Sequence, residues 1–365
     1  MKICIVTGGS GGHIYPAITF ADYVKKTTDN EIFFIGNDHK MESWIVPDSG
    51  YPFYSIHNLG LQGSKIDRIK AVFSQYGAYK AAKKHLKALK PDVVIAFGGY
   101  VSAPVAFAAS KLKIPLVLHE QNAFPGKANK MVADKAQAII TCYPEAFSDM
   151  PQVHYLGNPR ASLVHETIDS IPEQTRLNLK PSLPTVLIVM GSQGSTSMNE
   201  KLKTFVKKFD SDAYQVIVTT GPLHVASFKE AVGDVHENIR IEGFVDQKAL
   251  LPIVDLIVCR SGASTIAEIQ SFGLASLLIP SPHVANNHQY YNAKSLFDQD
   301  ACDMMQENEI TETNLNERVE SLLSDSSRRE SLGNNAHKMA MPNAVRDITE
   351  LVTRVVDQQR EKKQI

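Results

Sequence analysis

Ile3-Cys4-Ile5-Val6-Thr7-Gly8-Gly9-Ser10-Gly11-Gly12-His13-Ile14-Tyr15-Pro16 decides the fold. Four apolar residues in a row fit a strand buried on both faces. The turn after it leads into a helix, with Pro16 in the first turn, where proline is favoured. A strand passing through a tight turn into a helix opens a doubly wound α/β sheet. Backbone N–H groups in such a turn, together with the positive end of the helix, attract phosphate, and glycines let the anion come close. Glycine fills four of the five positions from Gly8 to Gly12, around Ser10, which is too many for a plain turn. The register is neither G-x-G-x-x-G nor a P-loop, since no Lys-Ser/Thr follows, and this argues against dinucleotide and ATP-dependent chemistry.

Further short apolar runs follow at Ile32–Ile35, Val93–Phe97, Leu116–His119 and Ala138–Thr141, separated by segments of helical periodicity. They read as parallel strands covered by helices on both faces. Between Leu156 and Lys180 the pattern lapses into polar and turn residues, including Gly157-Asn158-Pro159-Arg160, and a linker is expected there. The architecture then restarts. Thr185–Met190 runs into Gly191-Ser192-Gln193-Gly194-Ser195, a helix is expected to end near Phe209, and strands are expected at Gln215–Thr219, Ile239–Glu242, Leu256–Cys259 and Ser276–Ile279. The domains expected are residues 1–158, a Rossmann-like unit, residues 159–341, a second such unit, and a helix over 342–365. That helix carries Val345, Ile348, Leu351, Val352, Val355 and Val356 as an apolar stripe, which is expected to pack back toward the N-terminal domain.

A chain of 365 residues with 43% hydrophobic content has room for two cores. Lys and Arg at 38 against Asp and Glu at 39 leave no global field, so nucleic acid is not an expected partner. The cysteines Cys4, Cys142, Cys259 and Cys302 have neither disulfide-framework nor zinc-site spacing and read as core residues in a reducing compartment. Only Lys2 separates Met1 from the first strand, so no secretory leader is expected. No run approaches the roughly 18 apolar residues of a membrane-spanning helix.

Polar clusters recur at strand ends, where open α/β sheets place their sites. Phe97-Gly98-Gly99-Tyr100 repeats the strand-then-glycine arrangement, and His119-Glu120-Gln121-Asn122 ends the next strand. In the second half Arg260-Ser261-Gly262-Ala263-Ser264-Thr265 opens a helix suited to a diphosphate, with Glu268 one turn further in, placed to accept hydrogen bonds from ribose hydroxyls. Asn286-Asn287-His288-Gln289 offers the neutral donors and acceptors that sugar hydroxyls require. His13 and Glu120 are both candidates for a general base.

Taken in order, these motifs resemble the MurG family of N-acetylglucosaminyltransferases along essentially the whole chain. The resemblance implies a GT-B fold, two Rossmann-like domains facing an interdomain cleft. It implies inverting transfer of GlcNAc from UDP-GlcNAc to the 4-hydroxyl of MurNAc in lipid I, giving lipid II for peptidoglycan synthesis. By the same resemblance the C-terminal domain holds the donor, with Ser192 and Arg160 near the nucleotide, the Val245 backbone reading uracil, Glu268 on ribose and Gln289 on the sugar. Ser10, Gly11, Gly12 and Asn122 contact the donor from the other domain. Gly8, Gly9, Gly98, Gly99 and Tyr100 take the acceptor diphosphate, and His13 is the base.

The chain departs from the family at three places: Ser10 stands for a common threonine, Met190 for the first glycine of a frequent Gly-Gly-Ser-Gln-Gly, and His288 for glutamine in some members. No D-x-D-like pair accompanies the donor loops, so no cofactor and no obligatory metal is expected. Between Lys65 and Lys90, Arg68, Lys70, Lys80, Lys83, Lys84 and Lys87 alternate with Ile69, Val72, Phe73, Tyr76 and Tyr79. Such a stretch suits an anionic membrane surface, and the expected location is the cytoplasmic face of the cell membrane, peripheral, with a cell-wall synthesis complex as possible partner. The competing functions are a diacylglycerol glycosyltransferase, a UDP-GlcNAc 2-epimerase and a non-catalytic UDP-GlcNAc sensor.

Overall fold

The computed structural model describes residues 1–60, 65–191, 193–311 and 313–364; within these, the side chains of 65–70, 72, 363 and 364 are outside the description. The chain divides into two units, Met1–Ser162 with Asn343–Ile365, and Leu163–Pro342. The breaks fall four residues and one residue beyond those expected from the sequence.

In the first unit β1 (Lys2–Val6), β2 (Glu31–Asn37), β3 (Phe53–Ile56), β4 (Val93–Ala96), β5 (Leu116–Glu120), β6 (Ala138–Thr141) and β7 (Val153–Tyr155) form one sheet, ordered β3-β2-β1-β4-β5-β6-β7. Every pairing is parallel. Strand periodicity sorts the side chains into two cores. Ile3, Ile5, Phe34, Val93, Ile95 and Val117 face one way, and Cys4, Val6, Ile35, Val94, Ala96, Leu116 and Leu118 the other. The first face carries the helix Gly11–Thr27 and the C-terminal helix Ala344–Gln364, whose Ile348, Leu351, Val352, Val355 and Val356 are buried there. At roughly 1.5–3 kcal/mol for each such side chain, this helix is an integral part of the first unit's core.

In the second unit β8 (Thr185–Val189), β9 (Gln215–Thr219), β10 (Ile239–Glu242), β11 (Leu256–Cys259), β12 (Ser276–Leu278) and β13 (Asp303–Met304) are ordered β10-β9-β8-β11-β12-β13, again all parallel. Both sheets reverse direction beside their first strand, at β1/β4 and β8/β11, and the crevice outside such a switch point is where these folds bind ligands. Among the described residues no helix is long and apolar enough to cross a membrane. Cys4, Cys259 and Cys302 are buried free thiols, whereas Cys142 is half-buried.

Candidate active site

At the first unit's switch point the turns after β1 and β4 meet backbone to backbone. A Cβ on Gly99, whose φ is +86°, would stand 2.3 Å from the Gly8 carbonyl oxygen, so only glycine permits this approach. The turn after β1 is braced from beneath by Glu42, which is fully buried; its Oε2 accepts from the Gly9 amide at 3.0 Å and its Oε1 from the Asn37 amide at 3.0 Å. Glu42 escaped the sequence reading because it lies far along the chain from Gly9, in a short helix without any motif. Asn58 extends the frame, donating its amide to Asn37 Oδ1 at 3.1 Å and Nδ2–H to the Tyr100 carbonyl at 2.8 Å.

His13 sits in the first turn of Gly11–Thr27, a turn with no acidic residue to offset the helix dipole. Its Nδ1 lies 3.1 Å from the Gly8 carbonyl oxygen and 3.1 Å from Ser10 Oγ. A carbonyl only accepts, so the Gly8 contact is a hydrogen bond in the tautomer that carries its proton on Nδ1, and in that neutral ring Nε2 is the basic nitrogen. The ring lies over Gly98, where an added Cβ would come within 2.9 Å of Nε2. The sequence-selected Gly8, Gly9, His13, Gly98 and Gly99 are therefore brought together, with Ser10, Gly11 and Gly12 leading into the same helix.

Glu120 is 2% exposed and accepts four N–H bonds: Asn122 N at 3.1 Å and Nδ2 at 3.3 Å on Oε1, Gly126 N at 2.9 Å and Asn129 Nδ2 at 2.9 Å on Oε2. Burial raises its pKa against those bonds. His119 is neutral, pushed down to about 3 by burial; it hydrogen-bonds the Gly157 carbonyl at 3.2 Å and stacks on Phe97. Arg160, expected in the C-terminal domain, belongs to the first unit, where Nη1 lies 3.5 Å from Thr19 Oγ1.

The second unit repeats the device. A Cβ on Gly194 would stand 2.0 Å from the Thr220 carbonyl oxygen, locking the turn after β8 against the turn after β9. Arg260, 7% exposed, donates to Glu307 Oε2 at 2.5 Å, to Ser195 Oγ at 3.0 Å and to the carbonyls of Ile279 and Pro280, so it braces three loops. The helix Ala263–Phe272 starts at Gly262 without a side-chain cap or an acidic residue in its first turn, and Ser264 Oγ there is buried without a hydrogen-bond partner. Glu268, 3% exposed, accepts from Gln247 Nε2 at 2.8 Å, beside the loop of the buried Val245. Gln289 accepts the Ser281 amide at 2.8 Å through Oε1 and the Ser261 hydroxyl at 2.8 Å through its carbonyl. Ser192 lies outside the described residues. Glu307, Gln247 and Glu42 were not singled out in the sequence, since each acts through a partner that only the fold supplies.

Two doubly wound sheets with phosphate-suited turns at both switch points define the chain as a glycosyltransferase of GT-B architecture, and the N- and C-terminal domains of glycosyltransferase family 28 match residues 3–141 and 185–351. The chain belongs to the MurG family. A Halalkalibacterium halodurans relative named UDP-N-acetylglucosamine–N-acetylmuramyl-(pentapeptide) pyrophosphoryl-undecaprenol N-acetylglucosamine transferase is 39% identical over 97% of this chain and 99% of its own. The crystal structure of Acinetobacter baumannii MurG superposes with a TM-score of 0.77 at 27% identity, over 97% of this chain and 99% of that one. A UDP-GlcNAc 2-epimerase from Neisseria meningitidis, bound to UDP-GlcNAc, shares the fold with a TM-score of 0.67 at 13% identity, over 97% of this chain and all of the other.

Proposed function

We propose that this enzyme transfers GlcNAc from UDP-GlcNAc to the 4-hydroxyl of MurNAc in lipid I, with inversion, and so forms lipid II. Full-length kinship to a relative bearing that activity in its name supports the substrates. The observation that carries the chemistry is the tether of His13 Nδ1 to the Gly8 carbonyl, which leaves Nε2 as the base. Nε2 takes the hydroxyl proton while that oxygen bonds to C1 of GlcNAc. The bond from C1 to the β-phosphate oxygen breaks, and its electron pair leaves with UDP. A single displacement inverts C1 without a covalent enzyme intermediate.

Glu120 is assigned the other task, holding the loop that carries Asn122, because four N–H groups already occupy its carboxylate. Gly8, Gly9, Gly98, Gly99 and Tyr100 receive the acceptor diphosphate. Ser10, Gly11, Gly12, Asn122 and Arg160 contact the donor from the first unit. In the second unit the unpartnered Ser264 hydroxyl and the open helix start at Gly262 receive the donor diphosphate. Val245, Glu268 and Gln289 read uracil, ribose and sugar, and Ser192 joins them by family resemblance. Helix ends and backbone N–H groups meet the charge developing on UDP, so turnover requires no metal.

The helix Lys65–Leu89 is the proposed membrane contact. Phe73 and Tyr76 are 73% and 60% exposed, and Lys80 lies over the Tyr76 ring at 4.5 Å. Apolar rings inserted between lysines suit anionic headgroups at the cytoplasmic face.

The test is transfer of radiolabelled GlcNAc from UDP-GlcNAc to a short-chain lipid I analogue by purified, EDTA-treated protein, with a diacylglycerol acceptor and an epimerisation assay alongside. Labelled lipid II is the expected product. Labelled glycolipid, a 2-epimer, or donor binding without turnover would overturn the proposal in favour of the corresponding alternative.

A further inference from the structure

A second cluster of chemically versatile side chains lies in the first unit, apart from the glycine turns. Asp38 and His39 follow β2, and His57 follows β3. These strands pair with Asn37 opposite Ile56, and the Asp38 amide donates to the Ile56 carbonyl at 3.3 Å, so Asp38 and His57 come side by side. His39 Nδ1 is 2.6 Å from Asp38 Oδ1, and His57 Nδ1 is 3.0 Å from Oδ2, with the two rings 5.2 Å apart. Ligand atoms from the three residues lie within 4.8 Å of one another, the one such group of His, Cys, Asp and Glu among the described residues. The contacts are hydrogen bonds from the two imidazoles to one carboxylate, made where the three side chains remain 36% to 61% exposed, so both rings and the carboxylate are accessible to an ion that takes the place of the bridging protons.

We propose that Asp38, His39 and His57 bind a transition-metal ion of the zinc class. Two imidazoles and a carboxylate suit Zn²⁺, Co²⁺, Ni²⁺ or Cu²⁺, whereas Mg²⁺ and Ca²⁺ want oxygen donors throughout. With bonds of about 2.0–2.1 Å, a tetrahedral ion sets its ligands about 3.3 Å apart, so small side-chain rotations close the site. Three protein ligands leave the fourth position to water. The ion cross-links the ends of β2 and β3, next to Asn37 and Asn58, which link to Glu42 and to the Tyr100 carbonyl beneath the glycine turns. Its binding therefore stiffens that frame and raises the protein's thermal stability by mass action.

The experiment titrates metal-stripped, full-length protein with Co²⁺, following ligand-field absorption, then displaces it with Zn²⁺, and records Tm with Zn²⁺ and with Mg²⁺. One Co²⁺ per chain, displaced by Zn²⁺, and a Tm rise with Zn²⁺ but not Mg²⁺ are expected. Asp38→Asn and His57→Gln should each weaken binding by about tenfold or more and their combination should abolish it, with the metal-free Tm showing that the variants fold. Equal uptake by the double variant would place the ion elsewhere, for instance at Cys142, and overturn the proposal. Absence of uptake by the unaltered protein at several-fold excess would do the same.

Discussion

The meeting of the two glycine turns in the first unit can be tested by adding one methyl group at two positions that share a positive φ and differ in the space around them. Gly99 has φ +86° and Gly9 has φ +88°. A Cβ at Gly9 meets nothing within 4 Å, whereas one at Gly99 lands 2.3 Å from the Gly8 carbonyl oxygen and 2.9 Å from its carbon. Gly9→Ala therefore carries only the left-handed strain, about 1–2 kcal/mol. Gly99→Ala adds a collision with rigid backbone worth about 1–3 kcal/mol. For a unit of this size, the extra term lowers Tm by roughly 2–12 °C beyond the shift in Gly9→Ala. If the turn yields instead, it carries away the Gly8 oxygen that holds His13 Nδ1, and a displacement near 1 Å should reduce turnover about 100-fold. Calorimetry on both variants decides the matter, since both glycines are also placed at the acceptor diphosphate and either substitution slows turnover for that reason alone. Equal Tm shifts would refute a rigid close approach of the two turns.

Glu307→Gln leaves Arg260 buried without a charge partner and should destabilise the protein by about 3–5 kcal/mol at neutral pH, measured by urea unfolding. Burial acts to raise the Glu307 pKa, but hydrogen bonds from Ser197 and Arg260 and the Arg260 charge outweigh it and hold it below 4.5. The unfolded chain thus binds more protons at this site as pH falls from 4.5 toward the lowered value, so stability is lost over that window and Glu307→Gln should flatten the loss. Glu120→Gln turns an N–H toward donors that need an acceptor; a stability loss of about 1–3 kcal/mol is expected, with the base limb of the pH–rate profile retained. Phe73→Ser with Tyr76→Ser should reduce cosedimentation with anionic vesicles while leaving turnover of a short-chain, soluble acceptor unchanged.

The central strands were legible because strands buried on both faces appear as unbroken apolar runs; Gln215–Thr219 and Leu256–Cys259 fall where the runs placed them, and so does Ile239–Glu242 at one edge of the second sheet, whose alternate residues are buried. The other outer strands were not. Phe53–Ile56 and Val153–Tyr155 lie at the sheet's two edges, are only partly buried, and mix polar with apolar residues, while Asp303–Met304 is too short to show a period. The glycine turns announced themselves by composition, since backbone contact excludes side chains. What held them did not: Glu42 reaches Gly9 across 33 positions, and Arg260 and Glu307 pair across 47. Sequence pattern records local periodicity, and a single buried carboxylate brought in by the fold leaves no such trace. Arg160 shows the same limit, because a motif named its chemistry while packing near Thr19 decided its unit.

The role of His13 is tested most directly by measuring kcat for lipid I analogue glycosylation and the Kd for UDP-GlcNAc in His13→Ala, with the wild-type pH–rate profile as reference. A base at Nε2 predicts a fall in kcat of about 100- to 10,000-fold, loss of the wild-type acidic limb, and a donor Kd that changes far less. Retention of kcat, or parallel losses in kcat and donor affinity, would contradict the assignment of His13 as the base.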